Sequence, residues 1–218
     1  MPAEHFWDAS FLNQHMPNAI RLDSRPGAPP YHFWWAGDGE QVGMFLYGYE
    51  SAWLPAHLLD KEQQPRLVEA LFNASQEWEV QLHFNKGLAG ADQEVLEDTR
   101  NTATNPDVCE AFALAIIATA GPPLYPGIPG HAPDLAVARK EAAAISRAMN
   151  ILRSVAPNTG AYVSESNFFQ QSWPSAFWGS NYPRLQAVKA KYDPTGLFFV
   201  HHGVGGEEWT DNGFTRLT

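Results

Sequence analysis

Cysteine is nearly absent: the 218 residues hold one, Cys109. That excludes an intrachain disulfide framework and any multi-cysteine zinc site. With Glu110 beside it rather than a cation, Cys109 is expected in a helix core and not as a reactive thiol. Charge is scarce too, at 17% of residues, where about 25% is ordinary. Basic residues are the scarcer sign, 14 Lys and Arg against 24 Asp and Glu, for a net charge of −10. No run of Lys or Arg interrupts that field, so nucleic acid and anionic membrane surfaces are excluded as partners, and small neutral or organic ligands are favoured. Long apolar runs are missing as well. The longest, Ala111 to Ala120, is interrupted by Thr119 and ended by Gly121-Pro122-Pro123, too short to span a bilayer. Met1 to His5 lacks the basic and apolar regions of a secretory signal, so the chain by itself is expected not to be exported.

Chemical motifs are also few. No two of the eight histidines sit four apart on a convincing helix with a nearby acid, and His201-His202 would point to opposite faces of a strand, so no metal site is expected. Gly203-Val204-Gly205-Gly206 and Gly87-Leu88-Ala89-Gly90 do not join a buried strand to a helix as a phosphate cradle requires. No Gly-x-Ser-x-Gly elbow is present. Asn73-Ala74-Ser75 is a glycosylation sequon, but it falls in an expected helix and reads as a chance match.

What the chain has in quantity is apolar and aromatic surface, 44% hydrophobic with eight Trp, and loop formers, 17 Gly and 17 Pro. Such an inventory supports a packed, loop-rich domain. Residues 1–30, rich in Pro, Gly, Asn and His, read as an arm or linker. Tyr31 to Trp53 reads as two strands around a Gly37-Asp38-Gly39 turn, with Phe45, Tyr47 and Tyr49 on one face. Pro65 opens a helix whose apolar stripe is Leu67, Val68, Leu71, Phe72 and Ser75, after which Val80, Leu82 and Phe84 switch to the period of a strand. Asn85-Lys86-Gly87 supplies a turn. Asn105-Pro106-Asp107 predicts the start of a helix over 106–119, apolar all round and therefore buried. Asp134 caps a helix carrying Ala138, Ala142, Ile145, Met149 and Leu152. Tyr162 to Glu165 reads as a strand, and a last helix runs from Asn181-Tyr182-Pro183 to Asp193-Pro194. The strands near Gly37-Asp38-Gly39, at 79–84 and at 160–165 are expected to share one sheet.

The last quarter carries Tyr162-Val163-Ser164-Glu165, then Gly179-Ser180-Asn181-Tyr182-Pro183-Arg184-Leu185, then Lys191-Tyr192-Asp193-Pro194-Thr195-Gly196-Leu197-Phe198. In order and spacing these resemble the berberine-like C-terminal region of FAD-linked oxidases, the berberine bridge enzyme group. Leu82 to Ala91 and His201-His202-Gly203-Val204-Gly205 look like its fungal branch, and the resemblance runs from about Tyr31 onward. It implies an α+β fold, an antiparallel sheet backed by helices near 65–77, 106–119 and 134–155. It divides the chain into 31–160, a substrate-binding region, and 161–218, the berberine-like region packed with it. The family's upstream FAD-binding domain, with its Arg-x-Gly-Gly-His motif, has no counterpart in residues 1–100.

The resemblance further implies that the chain is the substrate-domain half of an FAD-linked oxidoreductase of secondary metabolism. Such an enzyme oxidises a small organic molecule by hydride transfer to flavin, here with a separate FAD-binding half as partner. Carried over residue by residue, the base position falls on Glu165, where desolvation beside an aromatic ligand would raise the carboxyl pKa. Glu165 also reads as an exposed strand acid, and Tyr162, three residues earlier, as a packing residue or a second catalytic group. Asn181 reads either as a flavin-side residue or as a helix N-cap. Ser164 stands where the family usually has Asn, which alters the pocket. Of Trp34, Trp35, Trp53, Trp173 and Trp178, most are expected in the core, and a minority could line an aromatic pocket. The alternatives are a flavin-free binding or cyclisation protein derived from such an oxidase, or a non-functional fragment. The isolated chain is expected to bind FAD weakly or not at all.

Overall fold

The computed structural model describes residues 3–40, 43–85, 88, 90–124 and 127–217, with the side chains of 3, 39 and 40 left aside. Two compact units divide the chain: Met1–Tyr47 with Ala120–Ala138, and Gly48–Thr119 with Arg139–Thr218.

In the first unit, Asp8 accepts a hydrogen bond from the Phe11 N–H at 2.9 Å and so caps helix α1, Ala9–His15, whose Leu12 is fully buried. Strand β1, Ile20–Leu22, pairs antiparallel with β2, Phe33–Trp35, in the register Ile20↔Trp35 and Leu22↔Phe33. The chain then turns directly into a short helix α2, Ala36–Glu40. Gly37-Asp38-Gly39 is therefore helical and does not join two strands of one sheet. The first thirty residues contain both α1 and β1.

The second unit holds a three-stranded sheet. Its strands are β3, Phe45–Pro55, β4, Gln81–Phe84, and β5, Ala111–Gly121, in the order β3-β5-β4. β4 and β5 are antiparallel, with Leu82 opposite Ala115. Helix α3, Gln64–Glu77, comes between β3 and β4; helices α4, Gln93–Arg100, and α5, Asp107–Glu110, precede β5. Helix α6, Leu135–Val155, follows it, and then come α7, Trp173–Trp178, and α8, Tyr182–Tyr192. The architecture is α+β, as expected, with two of the helix positions and the strand at 80–84 in place.

Three expectations fail. The helix over 106–119 is one turn long, and then the chain is a strand. β5 is the central strand, buried on both faces, and such a strand is a continuous apolar run that hydrophobicity alone does not separate from a buried helix. Cys109 accordingly sits half-buried in α5 and not in a long helix core; burial pushes its thiol up. Residues 162–165 form a turn closed by the Glu165 N–H donating to the Tyr162 carbonyl at 2.9 Å. The stripe on α3 is rotated too. Leu67, Ala70 and Ala74 face the core while Val68 and Phe72 lie exposed, because small alanines let the helix approach the sheet closely. Lys86, Gly87 and Ala89, parts of an expected turn and glycine-rich loop, lie outside the described residues.

Strand alternation separates two faces of the sheet. Ala52 and Leu54 of β3, with Ala115 and Ile117 of β5, pack against Leu67, Ala70 and Ala74 of α3 and against Ile145, Ala148, Met149 and Leu152 of α6. Gly48 makes this contact close, since a Cβ there would stand 2.8 Å from Ile145 Cδ1. The alternate set, Trp53 with Leu114 and Ile116, gathers a separate cluster that Tyr49, Val108 and Ala118 adjoin. Among the described residues no helix is long and apolar enough to cross a membrane.

Candidate functional site

The other face of the sheet, covered in part by Val108 of α5, is built from alternate residues of β3. Tyr49, Ser51 and Trp53 point the same way, and each engages the segment 160–165. The Trp53 N–H donates to the Gly160 carbonyl at 3.0 Å, so the chain lies beside β3 without being a ladder strand. Ser51, 1% exposed, accepts the Tyr162 N–H on its hydroxyl at 3.0 Å. Burial first, and then the neighbouring Glu165 carboxylate, push the Tyr49 phenol up.

A second set of bonds fixes the start of the segment. Asp107 accepts the Gly160 N–H at 2.7 Å, and the Ala161 N–H donates to the Ala176 carbonyl at 2.8 Å. Asn105, 3% exposed, donates to that same carbonyl at 2.9 Å and accepts the Asp107 N–H at 3.0 Å. Asn105-Pro106-Asp107 is thus a helix start and also a clamp on Gly160. From the other side, Arg153 of α6 donates to the carbonyls of Ser51 at 3.0 Å and Thr159 at 3.4 Å. Burial lowers its guanidinium pKa, which the nearby Glu50 opposes.

Between these walls lies a cavity of about 140 Å³, lined by Trp53, Asn105, Tyr162, Val163, Phe177 and Trp178 among others. The Trp53 and Tyr162 rings stand 6.4 Å apart. The indole N–H groups of Trp53 and Trp178 are buried without an acceptor among the described residues. The arrangement offers an aromatic cavity and, apart from its lining, a phenol on β3 under the influence of the Glu165 carboxylate. Such a cavity can orient a small organic molecule, and such a carboxylate can take and hold a proton.

Of the residues singled out in the sequence, Glu165 is half-buried and Tyr162 is 40% exposed at the cavity. They lie at the two ends of one turn and not on a strand. Asn181 lies apart. It precedes α8 without a side-chain cap bond, and its amide instead donates to the carbonyls of Arg100 and Thr104, both at 2.9 Å. Ser164 makes no side-chain hydrogen bond among the described residues. His201 and His202 do not diverge but stack at 3.9 Å, His202 having a left-handed φ of 57°. No group of three or more metal-ligating side chains occurs among the described residues. Tyr49 and Ser51 are the residues sequence reasoning missed. The signal was present, since Tyr49 had been placed on a β face whose alternation continues through Ser51 and Trp53.

Two stretches that could cradle a pyrophosphate have their N–H groups engaged within the chain. In the glycine-rich stretch the N–H groups of Gly203, Gly205 and Gly206 donate to Val200 O, Tyr182 Oη and Gly203 O. In the first turn of α6 those of Ala136 and Val137 are taken by Asp134 at 3.1 and 3.0 Å. A phosphate needs such groups free.

Residues 161–205 match the berberine and berberine-like family, and the chain carries that C-terminal region. Over 82% of its length it is 26% identical to the FAD-linked oxidoreductase notD' of Aspergillus versicolor. Over 30% of its length it is 44% identical to an uncharacterised FAD-linked oxidoreductase of Arthroderma benhamiae. The fold matches the VAO-type flavoprotein MtVAO713 of Myceliophthora thermophila over 80% of this chain and 28% of that one, with a TM-score of 0.57 at 20% identity. The chain spans 28% of the length of notD' and 11% of the Arthroderma protein.

Proposed function

We propose that the chain supplies the substrate side of an FAD-linked oxidoreductase acting on a small organic molecule. The observation that carries the reading is the aromatic cavity walled by Trp53, Tyr162, Phe177 and Trp178, with Glu165 three residues along the same turn from Tyr162 and acting on Tyr49 of β3. In this reading the aromatic walls hold the substrate and Glu165 takes its proton. Tyr49 neighbours the Glu165 carboxylate, and Tyr162 closes the cavity from the turn. The flavin, held by residues outside these 218, accepts the hydride. A separate FAD-binding half is the partner that this division requires. Asn181 orders the 100–104 segment through its Nδ2, and its Oδ1 remains the atom that a flavin-side role would use.

The phosphate-binding groups already engaged within the chain also favour a second reading, a flavin-free binding or cyclisation protein that keeps the aromatic cavity. Anaerobic reduction of the flavin-loaded protein that contains this chain separates the two. Small alcohols and phenols should bleach the oxidised-flavin absorbance, and Glu165→Gln should slow the bleaching about 100-fold or more while substrate binding persists. Bleaching at an unchanged rate in Glu165→Gln removes Glu165 from the reaction. No bleaching by any of these substrates leaves the flavin-free reading.

A further inference from the structure

We propose that a second cavity, of about 230 Å³ and lined by residues of the C-terminal region, binds a small organic cation, a quaternary or protonated amine. Its walls are aromatic: Trp173, Phe199, Trp209 and the stacked imidazoles of His201 and His202. Its charges have one sign, Glu207 and Asp211, and no Lys or Arg is among its lining residues. The faces of indole and phenyl rings carry negative quadrupole density, and a cation near them gains further from carboxylates at the rim.

The site is held in place by its own packing. Phe168, His201, His202 and Trp173 form a stacked column with centroid separations of 4.3, 3.9 and 5.4 Å. Glu207 is oriented by Tyr182 at 2.5 Å and Gln186 at 3.0 Å, so its carboxylate is fixed rather than swinging. Asp211, exposed at the rim, has no hydrogen-bond or ion-pair partner among the described residues, and its charge acts on His202. Trp209 already takes one cation on its ring, the guanidinium of Arg216 at 6.0 Å, itself paired with Glu208. The volume is below the about 300–1,000 Å³ of drug-sized sites, which suits a compact amine head. None of these residues belongs to the Tyr49–Glu165 site, so the two proposals stand or fall separately.

The test is calorimetric titration of the purified protein with choline and with its neutral isostere, 3,3-dimethylbutan-1-ol. Choline should bind saturably and at least about tenfold more tightly than the alcohol, because shape is matched and only charge differs. Glu207→Gln and Asp211→Asn should each weaken choline and leave the alcohol unchanged. Equal binding of the two compounds, or no saturable choline binding, overturns the proposal on the wild-type protein alone. Choline binding that neither substitution alters overturns it as well, since the cation then sits elsewhere.

Discussion

Gly160→Ala is the substitution for which the structure makes the sharpest demand. A Cβ at this position would stand 2.2 Å from Asn105 Nδ2, 2.4 Å from the Ala176 carbonyl oxygen and 3.1 Å from Asp107 Oδ2. None is the free end of a flexible side chain. The Ala176 oxygen accepts from both Asn105 and the Ala161 N–H, and Asp107 holds the Gly160 N–H. A methyl group there must break the Asn105–Ala176 bond and push the loop off β3. Leaving buried polar groups unpaired costs about 1–3 kcal/mol, and forcing a carbon into filled space about 1–3 kcal/mol more. The expected loss is therefore about 2–6 kcal/mol. Urea denaturation should show it as a fall in midpoint at unchanged slope. Gly37→Ala is the control, since nothing lies within 4 Å of its added carbon and the residue is helical; it should be neutral or slightly stabilising. A Gly160→Ala loss under about 1 kcal/mol would refute the clamp as described.

Further outcomes follow from the same contacts. Asp134→Ala removes the acceptor for the Ala136 and Val137 N–H groups and should cost about 1 kcal/mol, read from the same denaturation curves. Ser51→Ala strips the Tyr162 N–H of its acceptor inside the protein and should cost about 1–3 kcal/mol; amide exchange of Tyr162 should accelerate. His202 has its pKa lowered by burial first and by the charge of His201 second, so the unfolded chain binds the proton more readily. Stability should then fall as pH drops below about 6.5, and His202→Gln should flatten that part of the profile; an unchanged profile contradicts the assignment.

Much of the fold was legible in residues whose pattern is local. Pro65 and the alternation after Val80 place α3 and β4, and Asp134 places the start of α6, because caps and period act within a few residues. β5 was misread because a central strand is buried on both sides and loses the alternation that would reveal it. The 162–165 segment was misread because its order comes from side chains elsewhere, Ser51 and Asp107, and not from a ladder of its own. For the candidate site, the resemblance points to Glu165 and Tyr162, which the structure places at the two ends of one turn. Their relation to Tyr49, 116 positions before Glu165, depends on tertiary contact. Asn181 shows the converse, a residue suited to capping whose amide is drawn to distant carbonyls.

The central claim is that these 218 residues supply the substrate side and leave the phosphates of FAD to residues outside them. Titration of the purified chain with FAD, followed by flavin fluorescence, tests it directly. With the glycine-rich N–H groups already engaged and a net charge of −10, weak binding or none is predicted. Tight, stoichiometric binding of FAD by a monomeric chain would contradict it.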